Sequence, residues 1–260
     1  MNTAELTAHI EQTLESLAVQ TGEAQHSEQF VEYLKSASRF HDYSLGNILL
    51  ILWQKPTATR VAGYRAWQKM NRFVRKGEKG IAILAPCVYS DKTDETKTHI
   101  FFKTVWVFDI SQTDGEPLPE INWRTTEQNA ELQLALTALV ESNGWHVAYV
   151  DDLEGAEGSC RYGTKTINLL KGTGTSTLVH EIGHMLLHED HQEMSRADKE
   201  TEAESVSFVV CTHFGLETAA PMYLASWSDP KQIKEHAERI IKTAHKIIES
   251  VKPLPVETDD

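Results

Sequence analysis

Through the first fifty residues, apolar positions recur with a helical period. Leu6, Ile10, Leu14 and Leu17 fall on one face, and Phe30, Leu34 and Ala37 repeat the spacing. The opening MNTAELTAHIEQTLESL reads as an amphipathic helix, without the basic start and apolar core of a secretory signal. Asp42 and Ser44 offer caps for a short apolar helix, LGNILLILWQ, which Pro56 ends. The period then shortens. IAILAPCVYS and THIFFKTVWVFDI are β-rich runs separated by the polar DKTDETK, a pattern that predicts a long hairpin.

SQTDGEPLPEINWRTT (111–126) has the Gly, Pro and polar content of a linker. A helix is expected over 127–142, then a strand WHVAYV, a glycine-bearing loop and a second strand TKTINLL. GTGTST breaks the chain, and Thr175 or Ser176 can cap the next helix. A further helix is expected over 197–214. KQIKEHAERIIKTAHKIIESV carries the stripe Ile233, Ala237, Ile240, Ala244 and Ile247, and PLPVETDD reads as a frayed tail. The expectation is an α+β chain: a helical and β-hairpin domain over 1–115, a linker over 116–126, a second domain over 127–252 and a tail over 253–260.

Composition narrows the class. Apolar residues are 40% and charged residues 24% of 260, as in a soluble globular protein. No apolar run approaches the roughly 18 residues of a membrane span. Cys87, Cys160 and Cys211 lack metal or redox spacing, which suits reduced thiols in the cytoplasm. The net charge of −13 argues against general affinity for nucleic acid, but it is unevenly distributed.

The helix STLVHEIGHMLLHEDH carries the pattern H-E-x-x-H at His180, Glu181 and His184. Residues i and i+4 share a helix face, so both imidazoles can reach one ion, with Glu181 beside a metal-bound water as general base. Leu178, Val179, Ile182, Met185 and Leu186 supply an apolar face, and the preceding INLL strand is expected to border the substrate cleft. Gly183 and Gly174 suit a close approach by backbone or substrate. The third ligand is sought in DKETEAESVSFVV. Glu200 is taken as ligand and Glu204, one turn on, as support for a ligand histidine, with the reverse assignment open. Lys199 and Glu202 fit a solvated charged face. His188 and His191 are left outside the metal set as exposed or helix-end residues, and His213 is read as a partly buried core histidine. Three protein ligands leave a fourth position for water, the arrangement of a hydrolytic Zn²⁺ site with one ion per chain, or of another divalent ion. Tyr162 and His146 are candidate oxyanion donors.

A second block stands out. WQKPTATRVAGYRAWQKMNRFVRKGEKG (53–80) holds eight basic residues and one acid, Glu78, for a charge of +7 that leaves −20 elsewhere. Lys55, Arg60, Arg65, Lys69, Arg72, Arg75, Lys76 and Lys79 alternate with Trp53, Tyr64, Trp67 and Phe73, and Tyr89 follows. Cations neutralise phosphates and open ring faces stack unpaired bases, so the block predicts contact with single-stranded DNA. The competing reading makes Trp67 and Phe73 local core. Gly77 and Gly80 are expected to shape a turn into IAIL.

YSLGNILLILWQKPTATRVAGYRAWQKMNRFVRKGEKGIAILAP closely resembles the N-terminal domain of ArdC-type antirestriction proteins of plasmids and other mobile elements. The resemblance implies a single-stranded-DNA-binding domain followed by a zincin-like metallopeptidase domain, and a role in protecting incoming DNA from host restriction. It carries the metal site onto His180, Glu181 and His184, with the acidic helix at Glu200 and Glu204. The second half also resembles ImmA/IrrE-type metallopeptidases, which act on repressors. Three functions follow as expectations: a peptidase cleaving a DNA-associated restriction subunit or repressor, a non-proteolytic DNA-protecting protein with a structural zinc, and a regulatory protease that needs no DNA.

Overall fold

The computed structural model describes residues 1–19, 25–90, 98–118, 126–191, 193–218 and 230–251. In chain order the elements are α1 (Thr3–Val19), α2 (Gln25–Arg39), α3 (Leu45–Gln54), β1 (Val61–Gly63), α4 (Tyr64–Lys69), β2 (Arg72–Val74), β3 (Ile81–Ser90), β4 (Thr98–Asp109), β5 (Thr113–Gly115), α5 (Thr126–Ser142), β6 (His146–Val150), β7 (Gly158–Arg161), β8 (Thr166–Leu170), α6 (Thr175–His188), α7 (Arg196–His213) and α8 (Pro230–Val251). The mixture of helices and sheets is that of an α+β protein. The turn DKTDETK, most of the linker, the tail PLPVETDD and the side chains of Leu17, Phe30 and Tyr89 lie outside the described residues. No described helix is long and apolar enough to cross a membrane.

The chain forms two compact units, Met1–Val19 with Tyr43–Glu120, and Gln20–Asp42 with Ile121–Asp260. The segment 20–42, expected with the first domain, groups with the second unit. There α2 packs on α7 and buries Leu34, Ala37 and Phe40.

In the first unit β4 is central, flanked by β1 and β3, both antiparallel to it. Leu6 of α1, Leu50 of α3 and Ala82 of β3 form a core cluster joined by Ile10 and Leu84. Ser44, as expected, caps α3, its hydroxyl accepting from the Asn47 N–H. The free edge of β3 is occupied by side chains of α3. The Asn47 carboxamide donates to the Leu84 carbonyl at 2.9 Å and accepts from its N–H at 2.9 Å. The Gln54 carboxamide does the same for Ala82, at 2.8 and 2.9 Å. Edge groups that would otherwise pair with another chain are thereby satisfied.

Five short elements lie where sequence periodicity marks none, among them β5 in the linker-like stretch 111–126. Three of them, β1, α4 and β2, divide the basic block, and β7 occupies the glycine-bearing loop. Runs of three to six residues are too short to show a period. Asp109 supports the turn that leads into β1. It is buried, its Oδ2 accepts from the N–H groups of Thr59 (2.8 Å) and Arg60 (3.1 Å), and its Oδ1 accepts from Ser111 (3.0 Å). Gln112 completes the capping box through the Asp109 N–H at 2.9 Å. Burial raises the Asp109 pKa, but the bonds from Ser111, Thr59 and Arg60 outweigh it and the net shift is downward.

In the second unit β8 is central, parallel to β6 and antiparallel to β7. Ile167 and Leu169 of β8 are buried, as are Leu178, Val179 and Ile182 of α6. Contacts of α6 with α7, and of α7 with α8, complete the helical layer.

Asp109→Asn should destabilise the protein by about 1.5–3 kcal/mol at pH 7, the cost of losing charge-assisted bonds from three backbone N–H groups to a buried carboxylate. Because the folded pKa is lowered, the carboxylate stabilises fully above its unfolded pKa, and the gain is lost as pH falls through the folded pKa. Urea melts of wild type and variant should therefore converge between neutral pH and pH ~3; a constant difference would contradict this.

Candidate functional site

α6 begins after Gly174, which serves as N-cap without a side-chain bond. The expected caps act otherwise: the Thr175 hydroxyl is 2.6 Å from the Asn129 carboxamide oxygen, to which it donates. His180 and His184 face the same side one turn apart, with their Nε2 atoms 3.0 Å from each other. Glu200 arrives from α7, its Oε2 3.4 Å from each of those nitrogens. Bonds of about 2.0–2.2 Å to a single ion span a triangle of this size. One glycine sets the spacing of the two helices. A Cβ on Gly183 would lie 3.2 Å from the Ala203 Cα and 3.4 Å from its carbonyl oxygen, so α7 can approach closely only there.

The bonds behind the imidazoles define their protonation. His188 is completely buried, contrary to its expected place at an exposed helix end, and its Nδ1 lies 3.0 Å from His184 Nδ1. Its Nε2 is 2.9 Å from Glu202 Oε2. Burial lowers the His188 pKa, more than Glu202 raises it, so the ring is neutral. A neutral ring has one N–H. That proton bonds to the Glu202 carboxylate, leaving Nδ1 to accept from His184 Nδ1–H. His184 Nε2 therefore presents a lone pair to Glu200 and His180. An imidazole lone pair, a second imidazole nitrogen and a carboxylate within 3.4 Å require a positive charge among them. Without an ion a proton meets that need: burial lowers the His180 pKa, but Glu200, Glu181 and Glu204 raise it and prevail. The His180 hydrogen bond and the adjoining His184 imidazole hold the Glu200 carboxyl far below its usual range, against the effect of burial. These donors fit a divalent cation.

Glu202 is the largest departure from the sequence reading. Expected on a solvated face, it is 0% exposed. Its Oε1 is 2.7 Å from His236 Nδ1, and Arg239 of α8 donates to Oε2 at 3.2 Å. Burial raises the Glu202 pKa, and the bonds from His188 and His236 with the Arg239 charge bring it down to about 2. Arg239 also donates to the Leu187 carbonyl at 2.9 Å and to His191 at 3.0 Å. The support assigned to Glu204 thus comes from Glu202 through His188, while Glu204 is exposed. Periodicity gave no signal for this, because the apolar run VSFVV surrounds a carboxylate whose partners lie on two other helices.

Glu181 is buried beside the His180, His184 and Glu200 cluster, and burial raises its pKa against the lowering effect of His180 and His184. The bordering strand is β7 rather than the expected INLL strand, since β8 is central. A Cβ on Gly158 of β7 would meet Glu181 Oε1 at 2.7 Å and Thr177 Cγ2 at 2.9 Å, so only glycine lets this strand pass Glu181. Tyr162, which follows β7, donates to the His184 carbonyl at 3.3 Å. Burial, with Cys160, Glu181 and Glu200 nearby, keeps its hydroxyl protonated. His146 is exposed at the start of β6, and His213 is partly buried as expected.

In the first unit the basic block divides. Trp67 is completely buried and its Nε1–H donates to the Phe108 carbonyl at 2.9 Å, so it is core and cannot stack a base. Arg72 donates to Thr113 and to the Gly115 and Glu116 carbonyls. Arg75 binds Glu78, Asp114 and the Ser111 carbonyl. Arg72 holds β2 to β5, and Arg75, which remains exposed, is engaged by Glu78, Asp114 and the Ser111 carbonyl. Trp53 is half exposed, with one face stacked on His9 at 3.7 Å. Among the described residues Arg60, Tyr64, Arg65, Lys69, Lys76 and Lys79 are exposed, and these cations have no ion pair; Lys55 is half-buried, near Glu78. The sequence reading missed the exposed apolar side chains along the hairpin, where Phe102 is 54% and Trp106 57% exposed, with Val88, Ile100 and Phe101. Phe73 is exposed as well, not core.

Residues 2–108 match the family model for the N-terminal domain of anti-restriction factor ArdC. An uncharacterized protein of Bacillus anthracis is 26% identical over 282 residues, covering 86% of this chain, which spans 47% of that protein's length. Crystal structures of the antirestriction ArdC protein from plasmid R388 align over 80% of this chain and 84% of theirs in the metal-free form, with TM-score 0.47. The Mn(II)-bound form aligns over 81% and 85%, with TM-score 0.48, and both are 19% identical in sequence. The likeness to the antirestriction factor ArdC thus rests on the N-terminal domain, residues 2–108.

Proposed function

We propose that this is a cytoplasmic antirestriction protein that binds single-stranded DNA through its first unit and hydrolyses a DNA-associated protein, a restriction subunit or a repressor, at a zincin-like divalent-metal site in its second. The observation that carries the reading is the convergence of His180, His184 and Glu200 beside the buried Glu181.

A divalent ion held by those three donors would lower the pKa of a bound water toward neutrality. Glu181 takes the proton of the attacking water and delivers it to the leaving amine. Its raised pKa, caused first by burial, suits a group that must both accept and return a proton. His188 and Glu202 hold His184 in the tautomer whose Nε2 is free to ligate. The outer edge of β7 is unpaired among the described residues and runs past Glu181, so an extended peptide can join it as a further strand. Tyr162 supplies a protonated hydroxyl on that side.

The exposed rings Phe102, Trp106, Phe73 and Tyr64, with Lys76, Lys79, Arg65 and Lys69, provide stacking and phosphate contacts for single strands. The same surface supports a second reading, in which the chain protects DNA by coating it and the metal is structural.

Metal analysis of the full chain should find His180→Ala and Glu200→Ala depleted, and His188→Ala about 10–100-fold weaker in chelator competition. Glu181→Gln should keep its metal and lose about 10²–10⁴-fold in peptide hydrolysis. It should also fail to protect incoming DNA in a restricting recipient; protection retained by this variant would remove the peptidase reading in favour of coating. In oligonucleotide anisotropy titrations, Phe102→Ala and Trp106→Ala should each cost about 1–3 kcal/mol. Lys79→Ala should reduce the salt dependence by about 0.7 in log–log slope. Unchanged affinity in all three would rule out this surface as the DNA site.

A further inference from the structure

A second cluster of metal-binding side chains lies in the same unit, outside the site described above. His41 and Asp42 follow α2, and His245 and Glu249 stand one turn apart on α8, so the latter two share a helix face. One donor atom from each of the four lies within 4.8 Å of all the others. His41 Nδ1 is 3.3 Å from His245 Nδ1, 3.3 Å from Asp42 Oδ1 and 3.9 Å from Glu249 Oε1. His245 Nδ1 is 3.5 Å from Asp42 Oδ1. In a tetrahedron with bonds of about 2.1 Å the ligands are about 3.4 Å apart, close to these separations.

The chemistry points the same way. Two imidazole nitrogens that face each other across 3.3 Å can share one proton or one cation, and two carboxylates beside them add negative charge. A dication satisfies all four donors at once. His41 is buried, and His213 stands edge-on to its ring at 4.8 Å. His213 in turn donates from Nδ1 to the Ser38 carbonyl at 2.9 Å, so this wall of the cluster is fixed. The other three side chains are partly open to solvent, which gives an ion access.

We infer that His41, Asp42, His245 and Glu249 form a second divalent-metal site, of the zinc class, that clamps the end of α2 to α8. Two imidazoles with two carboxylates favour zinc or cobalt over the purely oxygen-seeking magnesium and calcium. Four protein donors close the coordination sphere, so this ion is structural and activates no water.

The test uses the full chain stripped by chelator and titrated with Zn²⁺. Wild type should bind about two equivalents, and His245→Ala and Glu249→Gln about one each, with an unchanged circular dichroism spectrum. A variant carrying both His180→Ala and His184→Ala should also bind about one, and Zn²⁺ should still raise its Tm. Adding His245→Ala to that variant should abolish the rise. One equivalent in wild type that survives His245→Ala and Glu249→Gln would overturn the inference, as would absence of a zinc-dependent Tm shift in the His180/His184 variant. Because that variant lacks the first site, failure here is distinct from failure of the catalytic proposal.

Discussion

The second unit is organised around one buried carboxylate. Glu202 is closed to solvent, and burying an unpartnered anion is prohibitively costly, so each of its oxygens must be bonded. It draws His188 from α6 and His236 and Arg239 from α8. Three helices are thereby placed relative to one another, and His184, one bond further along, acquires its tautomer. Glu200, two residues before Glu202 on α7, reaches the His180–His184 pair because Gly183 lets the two helices approach. A charge that seems out of place in an apolar run thus determines how the donor set presents itself.

The first unit follows a different rule. Its sheet is closed on one edge by the Asn47 and Gln54 carboxamides and held by Asp109 at the end of β4, while the hairpin keeps large apolar side chains in water. Exposed rings cost solvation free energy, and the same unit carries exposed lysine and arginine that make no ion pair among the described residues. Arg72 is spent on the β2–β5 ribbon and Arg75 is engaged by Glu78 and Asp114, so the count of basic residues overstates the charge available to phosphates. The two halves of the block therefore differ in kind: one part builds the unit and the other faces solvent.

From the sequence alone, His180, Glu181 and His184 were legible, because helical periodicity by itself puts i and i+4 on one face. The long elements were legible for the same reason: α1, α3, α6, α7, α8 and the β3–β4 pair each carry enough turns or alternations to show their period. The ArdC-type N-terminal domain was legible too, since it rests on local sequence patterns. Tertiary structure decided the rest. It decided that Trp67 is core and Trp106 is not, since a strand apolar on both faces does not reveal which part is covered. It decided that β7, not β8, passes Glu181, because strand order follows from packing rather than from composition. And it decided that Glu202 and His188, not Glu204, support the His184 imidazole, because the groups that satisfy a buried charge come from helices distant in the chain, and no local pattern records them.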